Sequence, residues 1–338
     1  MLDLSREPHV VTWEVTRACQ LHCKHCRARA IRHRNPDELS TLEFGPVLQD
    51  IHDNFVHQPV IVFTGGDPLE REDLDDILLQ SINMGLSTAV APSVTPKLTA
   101  EVIAHWKSLG VSSVSLSIDG PVAEVHDKFR GTKGVLERSL TIARAITDHD
   151  MRLQINTSVG RDTAAWLPAM ADLVTSLGVT SWELFFIIPT GRARVDQCLD
   201  ARGTEEVLEW LSDIAEHSPF RVTAVGAPQY NRILANRHPI LHAGRLAVKE
   251  ARGFAFIDHT GQVYPSGYLP LVAGNVREQP FTEIYRHSQL FRDLRDPNLL
   301  EGRCSQCDYT VSCGGSRARA FAITGDLFAE DPSCYAAT

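Results

Sequence analysis

The residues best suited to chemistry in this chain lie in "TRACQLHCKHCRA", residues 16–28, where Cys19, Cys23 and Cys26 follow a C-x3-C-x2-C spacing. Three thiolates so close in sequence can reach one metal centre. A structural zinc site closes with four protein ligands, commonly as two C-x2-C pairs, and here the fourth is missing locally. A cubane iron–sulfur cluster on three cysteines instead leaves one iron open to a small molecule. A second set, Cys304, Cys307, Cys313 and Cys334 at C-x2-C-x5-C-x20-C, is complete for one metal, and zinc or a second cubane would each satisfy the count.

Seven of the eight cysteines therefore fall into two groups. The start, "MLDLSREPHV", has no basic and apolar secretory pattern, and no window reaches the roughly 18 apolar residues of a membrane span. A cytoplasmic location follows as the expectation, and in that reducing compartment clustered thiols imply metal or redox chemistry rather than disulfides. Cys198 stands alone and reads as a small buried hydrophobe. The formal charge of −9 lacks the basic footprint of a nucleic-acid binder. With 43% hydrophobic and 22% charged residues and no repeat, the chain has the composition of a globular protein and not of a disordered one.

Elements that could position the first cysteines recur along the first half. Strand candidates are "VVTWEVT" (10–16), "PVIVFTGG" (59–66), "STAVAPS" (87–93), "VSSVSLSID" (111–119), "RLQINTSV" (152–159) and "SWELFFII" (181–188). Segments with helical periodicity, such as "TLEFGPVLQDIHDNF" and "GVLERSLTIARAITDHD", separate them. Strand and helix alternating about six times predict a parallel sheet wound with helices. Ligand loops in such folds lie at the C-terminal strand ends. There stand the cysteine loop, "TGGDP", "SLSIDG", "INTSVG" and "FFIIPTGRAR". Past residue 200, "GTEEVLEWLSDIAEHS" reads as a helix. A stretch of little periodicity follows, then a hairpin "GFAFIDHTGQVYPSG" with its turn at "DHTG", and then the second cysteine set.

C-x3-C-x2-C after the first strand of a βα-repeat resembles the signature of the radical S-adenosylmethionine (SAM) superfamily. The resemblance implies an α/β fold, a partial (β/α)6 TIM-like barrel spanning residues 1–200. It implies S-adenosyl-L-methionine chelated to the open iron of a [4Fe–4S] cluster on Cys19, Cys23 and Cys26. Reductive cleavage then yields a 5′-deoxyadenosyl radical that abstracts hydrogen from substrate. "TGGDP" is similar to the family's GGEP motif, so Gly65, Gly66 and Asp67 are expected near the SAM amino group. Ser115, Ser117, Asp119, Asn156 and Ser158 match ribose- or carboxylate-facing positions. Arg130 is expected to offer a fork to the methionine carboxylate, and His25 stands where an aromatic residue meets adenine.

"CSQCDYTVSCGGSRARAFAITGDLFAEDPSC" is similar to the SPASM or twitch region of these enzymes. That resemblance implies a small cysteine-rich domain at 246–338, joined through a helical region at 201–245, with an auxiliary [4Fe–4S] cluster on Cys304, Cys307, Cys313 and Cys334. Ser266 stands where many relatives carry a further cysteine, so one auxiliary cluster is expected. The two ends together resemble most closely the SPASM-like enzymes that trim side chains of tetrapyrroles, although those commonly show CGGC where this chain has Cys313-Gly-Gly-Ser316. Arg192, Arg194, Arg317 and Arg319 are candidates to pair with substrate carboxylates such as propionates. The partners implied are a small-molecule substrate and an electron donor such as flavodoxin or ferredoxin, with no nucleic acid and no membrane. The alternatives are a maturase acting on a ribosomal or carrier-bound peptide and, in another class, a non-catalytic zinc-binding protein. The 18 residues ahead of Cys19 are too few for the peptide-binding domain some peptide-modifying relatives carry there.

Overall fold

The computed structural model describes residues 2–335. Eleven strands form one sheet. Six lie parallel in sequence order: β1 (Val10–Thr16), β2 (Val60–Gly65), β3 (Thr88–Val90), β4 (Ser113–Ser117), β5 (Arg152–Val159) and β6 (Ser181–Phe186). A seventh parallel strand, β7 (Arg221–Val225), continues beyond β6. It lies in the stretch where the sequence has little periodicity. Five residues on a sheet edge, with one side chain buried, leave too short a pattern to recognise.

Helices fill the crossovers: α1 (Thr41–Asn54), α2 (Leu74–Asn83), α3 (Ala100–Leu109), α4 (Ala123–Arg130), α5 (Val135–Asp148) and α6 (Leu167–Ser176), then α7 (Ala201–His217), α8 (Gln229–Arg237) and α9 (Pro239–Ala243). Strand alternation sorts the side chains. On β4 and β5, Val114, Leu116, Leu153, Ile155 and Thr157 are buried under the helices, while Ser115, Ser117, Asn156 and Ser158 face the barrel interior. On β1, Trp13 is fully buried, 4.5 Å from Phe44 of α1 and 6.2 Å from Phe63 of β2 between ring centroids. On β4 and β5 the wall is thus apolar outside and polar inside, while Phe185 and Ile187 add apolar surface to the same interior, the mixed lining of a ligand pocket.

The C-terminal part joins the same sheet. After β8 (Lys249–Glu250), β9 (Gly253–Ile257) pairs parallel with β1, and β10 (Gln262–Tyr264) folds back antiparallel on β9, followed by β11 (Gly274–Asn275). In the intervening turn, Asp258 Oδ1 accepts from the Thr260 and Gln262 amides at 2.8 and 3.0 Å, and Gly261 takes φ +86°. The strand order runs from β11 to β7 without closing, so the barrel is partial. Three helices complete the chain: α10 (Phe281–His287), α11 (Gln289–Arg295) and α12 (Arg317–Thr324). No helix among the described residues is long and apolar enough to cross a membrane.

Tyr285 of α10 fastens β9 beside β1. Its buried hydroxyl donates to Leu4 O at 2.6 Å and accepts from Gly253 N at 2.9 Å. Tyr285→Phe removes both bonds, while Gly253 N still donates to Leu4 O at 2.9 Å. It is expected to cost about 0.5–1.5 kcal/mol, read as a lowered midpoint in denaturant unfolding.

Candidate active site

The cysteine loop carries little regular structure, and its neighbours hold it through the backbone. Cys19 N donates to Ile31 O at 2.9 Å and Ile31 N to Arg17 O at 3.0 Å, closing the loop at its base. From β2, Gly66 N and Asp67 N donate to Thr16 O and Ala18 O at 2.8 and 2.7 Å. A Cβ on Gly65 or Gly66 would collide with these same carbonyls. From beyond β6, Arg192 N donates to Cys26 O at 3.0 Å, and Gly191, at φ +69°, rests where a Cβ would strike the Cys26 and Arg27 carbonyls. These glycines are needed for close approach.

Above the loop lies a cavity of about 230 Å³. Cys19, Cys23 and Cys26 line it together with Gly65, Gly66, Ser115, Ser117, Asn156, Ser158, His25, Arg130 and Arg192. Twelve residues singled out from the sequence therefore meet in one place. Each sulfur faces a nitrogen donor: Leu21 N is 3.3 Å from Cys19, Ala30 N is 3.5 Å from Cys26, and Arg130 Nη1 is 3.9 Å from Cys23. Such donors suit thiolates. Burial alone pushes the Cys19 thiol up to about 11 and raises Cys23 as well, so neither would be a free nucleophile near neutrality. A bound metal reverses that preference. Three thiols, each beside a nitrogen donor, make up this donor set. The donor set fits an iron–sulfur cluster.

Charge in the cavity wall is mostly paired. Arg130 forms an ion pair with Asp119 at 2.6 Å, and Asp119 also accepts from Ser158 N at 2.7 Å. Burial would raise the Asp119 carboxyl, but the Arg130 guanidinium holds it below its usual range. Arg130 Nη1 and Nη2 are therefore committed to Cys23 and Asp119, while its Nε is buried without an acceptor, and Asp119 lies behind it without lining the cavity. His25 stacks on Phe129 at 4.1 Å between centroids. Burial, reinforced by Arg130, drives its ring down to about 3, so it is a neutral flat face. Asp67 is fully buried beneath the glycine turn, accepting from Thr95 Oγ1 at 2.7 Å and Leu69 N at 3.2 Å, and supports the turn from below.

The four arginines differ. Arg192 lines the cavity, and its Nε and Nη2 are shut from solvent with no acceptor. Arg194 is exposed and paired with Asp196 at 2.8 Å. Arg317 and Arg319 are buried at the second cysteine set, on Cys304 Sγ at 3.8 Å and Ser333 Oγ at 3.0 Å, so neither reaches the cavity. In that set Tyr309 N and Gly315 N donate to Cys307 and Cys313 sulfurs at 3.4 Å each, the same thiolate-seeking pattern as in the loop. Cys198 is buried against Phe129 and Ile187.

Several cavity residues carry no sequence signal of their own. Ser93 donates to Gly66 O at 2.6 Å and lies 3.5 Å from Cys19 Sγ. Its place at the end of β3's segment was the one available hint. Tyr268, from the hairpin region, lines the cavity, with its main-chain carbonyl held by Thr190 Oγ1 at 2.9 Å. Ser266 caps that turn, accepting from Tyr268 N at 3.0 Å. Arg27 spans from the loop to Glu14 at 3.1 Å, and Glu14 meets His259 at 3.1 Å. His126 accepts from Asp119 N at 3.0 Å through Nδ1.

Comparison with known proteins fits this geometry. The radical SAM superfamily model matches residues 13–174, and an iron–sulfur cluster-binding domain model, SPASM, matches 250–308. The AdoMet-dependent heme synthase of Oleidesulfovibrio alaskensis is 39% identical, with 98% of this chain and 88% of the relative covered. The chain belongs to the radical SAM superfamily. The enzyme of the same name from Methanosarcina barkeri is 35% identical over 99% of this chain and 98% of its own length. Among solved structures, Streptococcus suis SuiB bound to S-adenosylmethionine has a TM-score of 0.76 at 14% identity, with 98% of this chain and 78% of that chain covered, which establishes the shared fold. As a radical SAM enzyme with a SPASM region, the chain takes S-adenosyl-L-methionine and [4Fe–4S] clusters as its cofactors.

Two outcomes follow for this radical SAM core. Gly191→Ala places a methyl group against the loop carbonyls, and reconstituted protein should fall from about eight irons toward about four as the loop loses its cluster. Burial lifts Asp67 to about 6 despite the bonds from Thr95 and Leu69. Between an unfolded value near 3.9 and about 6, the folded state holds the extra proton. Stability from this group therefore falls as pH rises through that window and is level above it. Denaturant unfolding of Asp67→Asn across the same window should show a shallower slope than the wild type.

Proposed function

We propose that this chain is an AdoMet-dependent haem synthase that removes carboxyl groups from the side chains of a tetrapyrrole as carbon dioxide, each hydrogen passing to the 5′-deoxyadenosyl radical and the remaining electron to a one-electron acceptor. Cys19, Cys23 and Cys26 hold the SAM-binding cluster, and Cys304, Cys307, Cys313 and Cys334 hold one auxiliary cluster. The relatives of that name at 39% and 35% identity support the substrate class. The observation that carries the reading is a cavity shared by all three loop cysteines and a guanidinium, Arg192, with two nitrogens awaiting an acceptor.

When bound, the cluster and S-adenosylmethionine supply a 5′-deoxyadenosyl radical for hydrogen abstraction. The chain's own residues arrange the reactants. Gly65 and Gly66 present bare backbone, against which a ligand can lie without meeting side chains. Ser115, Ser117, Asn156 and Ser158 offer hydroxyl and amide groups on two adjacent strands, in register Ser117 to Asn156. His25, neutral and stacked on Phe129, offers a ring face to a heterocycle. Tyr268 contributes to the cavity wall from the C-terminal region. Arg192 receives a substrate carboxylate, since burying an unpaired cation is costly and an anion relieves it. A cytoplasmic flavodoxin or ferredoxin is the proposed electron donor.

Anaerobic protein supplied with dithionite, S-adenosylmethionine and iron-coproporphyrin should release 5′-deoxyadenosine and a tetrapyrrole that has lost carbon dioxide, as seen by mass spectrometry. Release of 5′-deoxyadenosine with every tetrapyrrole left intact would overturn the substrate class and favour the peptide reading. Arg192→Gln should raise KM for the acid substrate roughly ten- to a hundredfold, the span of a lost charged hydrogen bond. Arg192→Lys should recover part of it, and substrate methyl esters should not distinguish the variants.

A further inference from the structure

Each cysteine set has an arginine against one of its sulfurs. Arg130 lies 3.9 Å from Cys23 Sγ and Arg317 lies 3.8 Å from Cys304 Sγ. Their electrostatic settings differ. Arg130 shares its charge with the buried Asp119 at 2.6 Å. Arg317 is equally enclosed, but its other bonds go to neutral carbonyls: Ala329 O at 2.7 Å, Leu327 O at 3.2 Å and Gly315 O at 3.4 Å. A second cation reaches the same loop. Lys249 Nζ donates to Val311 O at 3.0 Å and Cys313 O at 3.3 Å.

Among the described residues neither Arg317 nor Lys249 forms an ion pair, whereas their neighbours Arg303 and Arg319 do, with Glu330 at 3.0 Å and Asp331 at 3.5 Å. Glu250, adjacent to Lys249, turns instead to Ser316 Oγ at 3.2 Å. Among the described residues three cations at the second cysteine loop therefore have no ion pair: Arg317, Lys249 and Arg252, whose Nη1 donates to Val311 O at 3.2 Å farther out. A reduced iron–sulfur cluster holds one more negative charge than its oxidised form. Net charge and hydrogen bonding to the sulfurs are among the factors that set its potential. The buried Arg317 and the half-buried Lys249, neither ion-paired, favour the reduced form, and the low dielectric around Arg317 weakens the screening of its charge.

We propose that Arg317 and Lys249 are positioning residues that raise the reduction potential of the auxiliary cluster by leaving their charge unneutralised beside it. The inference rests on the reading that Cys304, Cys307, Cys313 and Cys334 hold that cluster, and it assigns Arg317 a role at the cluster in place of substrate binding.

The test is an EPR-monitored redox titration of the full-length, anaerobically reconstituted protein, with added S-adenosylmethionine marking the loop cluster by the change in its signal. In Arg317→Gln and Lys249→Met the midpoint of the unmarked cluster should become more negative, while Arg317→Lys, which keeps the charge, should stay near the wild type. The loop cluster's midpoint should not follow. Should Arg317→Gln fail to retain its iron, Lys249→Met, which gives up only two carbonyl contacts, carries the measurement. Unchanged midpoints in the iron-replete charge-removing variants would overturn the proposal. A wild type that never holds more than about four irons would instead overturn the assignment of the cluster, a separate and distinguishable failure.

Discussion

A loop whose three thiols are proposed to bind one cluster cannot use those side chains to hold itself in place. The fold meets this constraint with main-chain contacts from the ends of β2 and β6, made possible by Gly65, Gly66 and Gly191. A further contact comes past α4, where Gly131 sits at φ +69° and a Cβ would stand 2.6 Å from His22 O. The loop is gripped from three directions by backbone that approaches more closely than any side chain would allow. His25 takes its place on that gripped loop, facing the polar sides of β4 and β5 that strand alternation sets.

Electrostatics adds a second layer. Burial works against every cysteine thiolate whose titration is displaced here, including Cys313, pushed up to about 12. The protein answers with N–H donors on the sulfurs and with cations set nearby, and it distributes counter-charges unevenly. Arg130 and Arg27 have carboxylate partners in Asp119 and Glu14. Arg192 has open nitrogens. A cation already neutralised supports the wall, and one left open has capacity for an incoming anion.

Much of this was legible in the sequence, for identifiable reasons. The strand segments 10–16 and 152–159 coincide with β1 and β5, because β-branched alternation on a half-buried parallel sheet is a strong pattern. Residues of the triad, "TGGDP", "SLSIDG" and "INTSVG" converge because the chain visits the same end of the sheet after each strand. What spacing could not distinguish was orientation. Asp67 and Asp119 stand in the expected motifs, yet one supports a turn and the other neutralises Arg130. Arg192 and Arg194 are two residues apart, and only the first turns inward. Tyr268 and Ser93 reach the cavity through tertiary packing that no local pattern records.

The pairing of β9 with β1 has a mechanical consequence. Four successive register pairs, Val10 with Phe254 through Trp13 with Ile257, make the strand that leads into the first cysteine loop also the template for the C-terminal region. A disturbance of β9 therefore acts directly on the strand that leads to Cys19, so substitutions at this seam are felt at both ends of the chain.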